Sequence, residues 1–121
     1  MRLFLMLIIF LFPLPLLSAS ADLSISPDEI RFSKEVLVAG ENIRLYSRIH
    51  NIGDTDISGF VTFYQSNTVL GSSQVISVLK GGAPEEVYID FIVPSGSFNI
   101  RAEISGTDQE ESRTDNNTAI T

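Results

Sequence analysis

The 121-residue chain has no cysteine, no tryptophan and a single histidine. Without cysteine there is no disulfide framework, no thiol nucleophile and no attachment point for a lipoprotein lipid. One histidine and no cysteine leave no zinc ligand set. After residue 21 apolar residues never recur at helical spacing over three turns, which argues against a helical bundle. Basic residues are scarce: eight Lys and Arg face fifteen Asp and Glu, for a net charge of −7. That balance argues against nucleic acid and against anionic membrane surfaces as partners. Long hydrophobic runs are also rare, with one exception at the start.

The exception is Leu3 to Leu17, apolar throughout and interrupted only by Pro13 and Pro15. Met1-Arg2 precedes it as a short positive region, and Ser18-Ala19-Ser20-Ala21 follows with an A-x-A pattern. This is the three-part plan of a secretory signal peptide, here residues 1–21, with cleavage expected after Ala21. A spanning helix needs about 20 apolar residues, and this run is shorter and carries two helix-breaking prolines. The mature domain is then residues 22–121 and is not membrane-spanning. Its expected location is secreted, periplasmic or cell surface. Losing Arg2 moves the net charge from −7 to −8.

The remaining residues read as strands from end to end. Leu23–Ile25 and Ile30–Phe32 flank Ser26-Pro27-Asp28, so proline splits the first strand in two. After the turn Ala39-Gly40-Glu41-Asn42, Ile43, Leu45, Ser47 and Ile49 alternate with Arg44, Tyr46, Arg48 and His50. That period-2 run predicts one face on a core and one toward solvent. Phe60–Tyr64 is apolar on both faces and reads as a central strand. Ser72–Leu79 is a weaker strand, closed by Gly81-Gly82-Ala83-Pro84. Two further alternating runs follow, carried by Val87, Ile89, Phe91 and Val93 and then by Phe98, Ile100, Ala102 and Ile104. The sum is an all-β fold, a β-sandwich of about seven strands. The last strand has at most Thr118 to Thr121, so part of its neighbour's edge is expected to stay unpaired. A chain ending there is expected to be marginally stable or to dimerise through that edge.

Two polar signatures mark the strand ends. Asn51-Ile52-Gly53 leads into Asp54-Thr55-Asp56, and Asp108 to Arg113 leads into Thr114-Asp115-Asn116-Asn117-Thr118. Asn51, Gly53, Asn116 and Asn117 are the expected structural turn residues, and Gly53 is expected at positive φ.

In order and spacing these segments resemble the CARDB family, the cell adhesion related domain found in bacteria. The resemblance is carried by Asp22-Leu23-Ser24-Ile25-Ser26-Pro27-Asp28-Glu29-Ile30, by Gly40-Glu41 before the strand ending Ile49-His50-Asn51-Ile52-Gly53, and by Glu111-Ser112-Arg113-Thr114-Asp115-Asn116-Asn117-Thr118. It implies an immunoglobulin-like sandwich in exported or surface proteins of bacteria and archaea, often in tandem, serving adhesion or spacing. It implies no catalytic residue. Family members usually continue past Asn-Asn-Thr with a full final strand, and only Thr118 to Thr121 follow here.

Chemistry is thin among the residues themselves. His50 sits at a strand end with no nucleophile or metal set around it. Asn51, Asp54 and Asp56 in one loop and Asp108, Glu110, Glu111, Asp115 and Asn116 in another have calcium-type oxygens, but their spacing matches no known calcium loop. Asn116-Asn117-Thr118 is a glycosylation sequon that doubles as turn chemistry. Tyr46, Arg48, Tyr64 and Tyr88 are scattered over exposed faces, where cross-strand packing is the ordinary role. No catalytic residue, metal ligand or cofactor is assigned, and the chain does not read as an enzyme. The expected function is a non-catalytic module for adhesion or for spacing and presenting other domains. Its partners would be neighbouring domains of a longer parent, or an unknown protein or glycan ligand. The alternative is a small extracellular binding module for carbohydrate or protein ligands, which coplanar aromatics would favour and the missing tryptophan does not.

Overall fold

The computed structural model describes residues 20–121. Most of the proposed signal peptide lies outside the described residues. Eight strands follow in order: β1 (Leu23–Ser24), β2 (Ile30–Phe32), β3 (Asn42–Asn51), β4 (Ile57–Gln65), β5 (Thr68–Val78), β6 (Glu85–Ile92), β7 (Ile100–Ser105) and β8 (Thr118–Ile120). A single 3-10 turn at Pro27–Glu29 separates β1 from β2, so proline breaks the first strand where the sequence placed the break.

The strands form two four-stranded antiparallel sheets. In the first, β3 pairs with β6 from Asn42↔Ile92 to Ile49↔Glu85, and also with β2 and β1. In the second the order is β5-β4-β7-β8, which puts β4 in the interior of its sheet as its apolar density predicts. The facing sides make one core. Ile43, Leu45 and Ile49 of β3 and Val87, Ile89 and Phe91 of β6 meet Ile57, Val61 and Phe63 of β4, Ile76 and Val78 of β5, and Ile100, Ala102 and Ile104 of β7. Each fully buried large side chain contributes roughly 1.5–3 kcal/mol by leaving water. This is a β-sandwich built on period-2 alternation.

Three details differ from the sequence reading. Phe60 is not a second core face; it is 41% exposed on the outer side of β4. Strand β5 begins at Thr68 rather than Ser72, because Gln65 and Thr68 pair across a two-residue turn with Ser66 at φ 53°. That turn carries no glycine, so the usual hairpin signal was missing. The edge of β7 is not left open either. Beyond the ladder Arg101–Glu103 with Thr118–Ile120, the Thr121 amide donates to Ile100 O at 3.0 Å and the Ile104 amide to Asn117 O at 2.8 Å. Strand β8 is short, and β7 is short with it.

Candidate functional site

One pole of the sandwich gathers the β3–β4 loop, the β7–β8 loop and the segment Ser20–Leu23. All four expected turn residues meet here, Asn51 and Gly53 on one side of that segment, Asn116 and Asn117 on the other. The segment continues the inward alternation of β1. Ala21 is 2% exposed, and Leu23 and Ile25 are buried with it.

On the first side, Asn51 locks its own loop. Its Oδ1 accepts from the Gly53 amide at 3.0 Å, and its Nδ2 donates to Thr55 O at 2.8 Å and Val78 O at 2.9 Å. The loop so fixed presents two donors to the passing segment: the Ile52 amide donates to Asp22 O at 2.9 Å and the Asp54 amide to Ser20 O at 2.8 Å. The Ser20 amide donates back to Asp54 Oδ1. Gly53 lies between these contacts. Its φ is not in the positive region, which corrects the expectation drawn from turn chemistry. The reason for glycine is a close approach instead. A Cβ at Gly53 would stand 2.2 Å from Ser20 O and 2.7 Å from Asp22 N.

On the second side, Glu111 and the asparagine pair hold the segment. The Leu23 amide donates to Glu111 Oε1 at 2.8 Å, and Asn117 Nδ2 donates to Glu111 Oε2. The Ser112 amide donates to Ala21 O at 2.8 Å, and the Ile25 amide to Asn116 O at 3.1 Å. Asn116 Nδ2 donates to Asp22 Oδ1 at 2.9 Å. Asn116 and Asn117 thus do more than turn the chain into β8. They close a polar clasp, in which both carboxamide oxygens are buried without a donor. Asn116 of the sequon thus gives one of its two Nδ2 hydrogens to Asp22.

Five of the six calcium-type carboxylates bind groups of this chain. Asp54 and Glu111 receive backbone amides as described. Asp56 Oδ1 accepts from the Lys80 amide at 2.9 Å and Asp108 Oδ1 from the Ser58 amide at 2.9 Å. Asp115 pairs with Arg113, whose hydrogen bond holds the aspartate carboxyl below its usual range despite a smaller opposing desolvation. Among the described residues no three His, Cys, Asp or Glu are placed to share a metal ion.

The remaining candidates are structural contacts. His50 Nε2 lies 2.6 and 2.7 Å from the two Glu29 carboxylate oxygens and ties the 3-10 turn to β3. Tyr46 and Tyr88 pack across β3 and β6 with centroids 5.9 Å apart. Arg31 covers Tyr46 at 5.1 Å, Arg44 covers Tyr88 at 4.4 Å, and Arg101 covers Tyr64 at 4.3 Å. Arg48 and Arg31 both pair with Glu86. Residue pairing alone did not predict the roles of Ser20, Asp22 and Glu111. The signal that could have found them is the alternation Ala21, Leu23, Ile25, which runs back across the expected cleavage point.

The fold is an eight-stranded antiparallel sandwich with a pole of backbone clasps. The CARDB family model matches residues 20–121, and the chain belongs to that family. Two solved structures of a CARDB domain from Pyrococcus furiosus are similar. The crystal structure, determined in complex with di-metal ions, has TM-score 0.66 at 17% identity and covers 84% of each chain. The solution structure has TM-score 0.62 at 17% identity and covers 84% of this chain and 92% of that one. At that identity the likeness concerns the fold. Among curated proteins the chain matches none.

Proposed function

We propose that this chain is an exported CARDB module that spaces or presents other domains outside the cell and has no catalysis of its own. One observation carries the reading. Ser20 pairs with Asp54, beside the start of β4, while Thr121 pairs with Ile100, whose partner Gln65 ends β4. The chain therefore enters at one pole and leaves at the other. The nine residues of β4 separate these poles by roughly 30 Å at the rise of an extended strand. A rigid body with its connections at opposite ends transmits position along its long axis, which is what spacing requires. The leader-like run Leu3–Leu17 supports export.

The di-metal ions belong to the Pyrococcus domain; among the described residues of this chain no three His, Cys, Asp or Glu are placed to share an ion. The test is to join a compact reporter domain before Ser20 and another after Thr121 and to measure their separation by small-angle scattering. Reporters held apart on opposite sides of the sandwich are expected. Reporters in mutual contact, or hydrolytic activity or tight glycan binding by the isolated domain, would sink the reading.

A further inference from the structure

The segment Ser18-Ala19-Ser20-Ala21 offers small residues in more than one register, so the leader pattern alone does not choose the cut. The folded product discriminates. A cut after Ala21 creates a charged ammonium on Asp22, which is 6% exposed. A cut after Ser20 creates it on Ala21, which is 2% exposed. In the uncut chain both residues are packed into the clasp, where a charge is costly unless it is paired. Both cuts also discard Ser20, whose carbonyl holds the Asp54 amide at 2.8 Å. The later one discards Ala21 as well, leaving the Ser112 amide without its acceptor and opening the core beneath. A cut after Ala19 does none of this. It leaves the whole segment in place and puts the new ammonium on Ser20, a half-buried residue whose nitrogen already faces Asp54 Oδ1.

We infer that the mature chain begins at Ser20, two residues before the A-x-A pattern would place it, and that Asp54 is the receptor for its α-ammonium. The inference rests on the exported reading above. At the cleaved bond Ala19 supplies the small residue; Leu17, in place of a second small residue, is what the register gives up. Hydrolysis of the Ala19–Ser20 peptide bond leaves a carboxylate on the leader and a protonated amine on Ser20. The backbone hydrogen bond to Asp54 then becomes a charge-assisted one, the stronger kind. The glycine at position 53 fits the same picture, because only a residue without Cβ lets Ser20 and Asp22 lie against the loop that carries Asp54.

The experiment is to express the full 121-residue chain in a bacterial secretion host and to determine the intact mass and N-terminal sequence of the exported product. A chain beginning at Ser20 is expected. A start at Ala21 or Asp22 overturns the inference and leaves export standing, whereas membrane-retained protein with Met1 intact removes the exported reading and the inference with it. A second measurement is independent of the host's peptidase. Chains with native starts at Ser20 and at Asp22 are released from a cleavable fusion and melted. The Ser20 chain is expected to melt higher by at least about 5 °C, the shift of roughly one lost clasp in a domain of this size. Asp54→Asn is expected to lower the midpoint of the Ser20 chain more than that of a chain still carrying Ser18-Ala19, where the nitrogen is an uncharged amide. Equal midpoints for the two starts, or an equal effect of Asp54→Asn with and without the extension, overturn the inference.

Discussion

Replacing Gly53 by alanine tests the clasp most directly. The added carbon would lie 2.2 Å from Ser20 O and 2.7 Å from Asp22 N, distances that no relaxation of a side chain can relieve because both atoms are backbone. Either the β3–β4 loop or the segment Ser20–Leu23 must move away. Moving them weakens the bonds from Ile52 to Asp22 O and from Asp54 to Ser20 O, each worth about 1 kcal/mol. Overpacking of this kind adds about 1–3 kcal/mol. With partial relaxation the expected loss is about 2–4 kcal/mol, a large part of the roughly 5–15 kcal/mol that holds a domain together. The assay is urea denaturation of the chain from Ser20 to Thr121, followed by fluorescence of its tyrosines.

Two controls separate a close approach from backbone strain. Gly40 sits at φ +85° with nothing within 4 Å of its virtual Cβ, so Gly40→Ala carries only the left-handed penalty of about 1–2 kcal/mol. Removing Ser20 and Ala21 should take most of the clash away, so Gly53→Ala should cost less than half as much in the shortened chain. An equal cost in both chains would refute the argument and return the glycine to a local conformational role.

Asn51→Ala should cost about 2–3 kcal/mol, read as a lower urea midpoint at unchanged slope, because it deletes two donors to Thr55 O and Val78 O and the acceptor for Gly53. The Asp115 carboxyl, held low chiefly by its hydrogen bond from Arg113, should titrate below the ordinary aspartate value and rise toward it in Arg113→Gln, as followed by carboxyl-carbon NMR. The sign follows from the lowered value. The pair's contribution is present above the unfolded aspartate pKa and is lost as pH falls through the folded one. Because both side chains are exposed, the acid midpoint of unfolding should move little.

What the sequence made legible is local. The alternation Ile43, Leu45, Ser47, Ile49 declares a half-buried strand by itself, and β3 follows it residue for residue. Gly40 occupies positive φ in the turn Ala39–Asn42, where the sequence places a turn. The turn Ser66–Asn67 was hidden because its positive φ falls on a serine, and Phe60 was misplaced because a local window cannot tell which face is covered. The meeting of Asn51 and Gly53 with Asn116 and Asn117 was hidden for a deeper reason. Each pair reads correctly as turn chemistry, but their shared object is a third segment, Ser20–Leu23, and contacts at such separation leave no periodic trace.

The acidic composition gains a physical meaning from the same pole. A sandwich end exposes amide donors that the sheet ladders no longer satisfy, and an unsatisfied donor near the core costs free energy comparable to a lost hydrogen bond. Asp54, Asp56, Asp108 and Glu111 each accept from such an amide, at Ser20, Lys80, Ser58 and Leu23 in turn. A carboxylate accepts without needing a donor of its own, so it caps an amide where a serine would have to place a proton elsewhere. Part of the excess of acids over bases is therefore capping chemistry for the loops of one end. Of the carboxylates that resemble a calcium cluster in sequence, Asp54 and Glu111 fasten the first segment, while Asp56 and Asp108 cap the ends of β5 and β4.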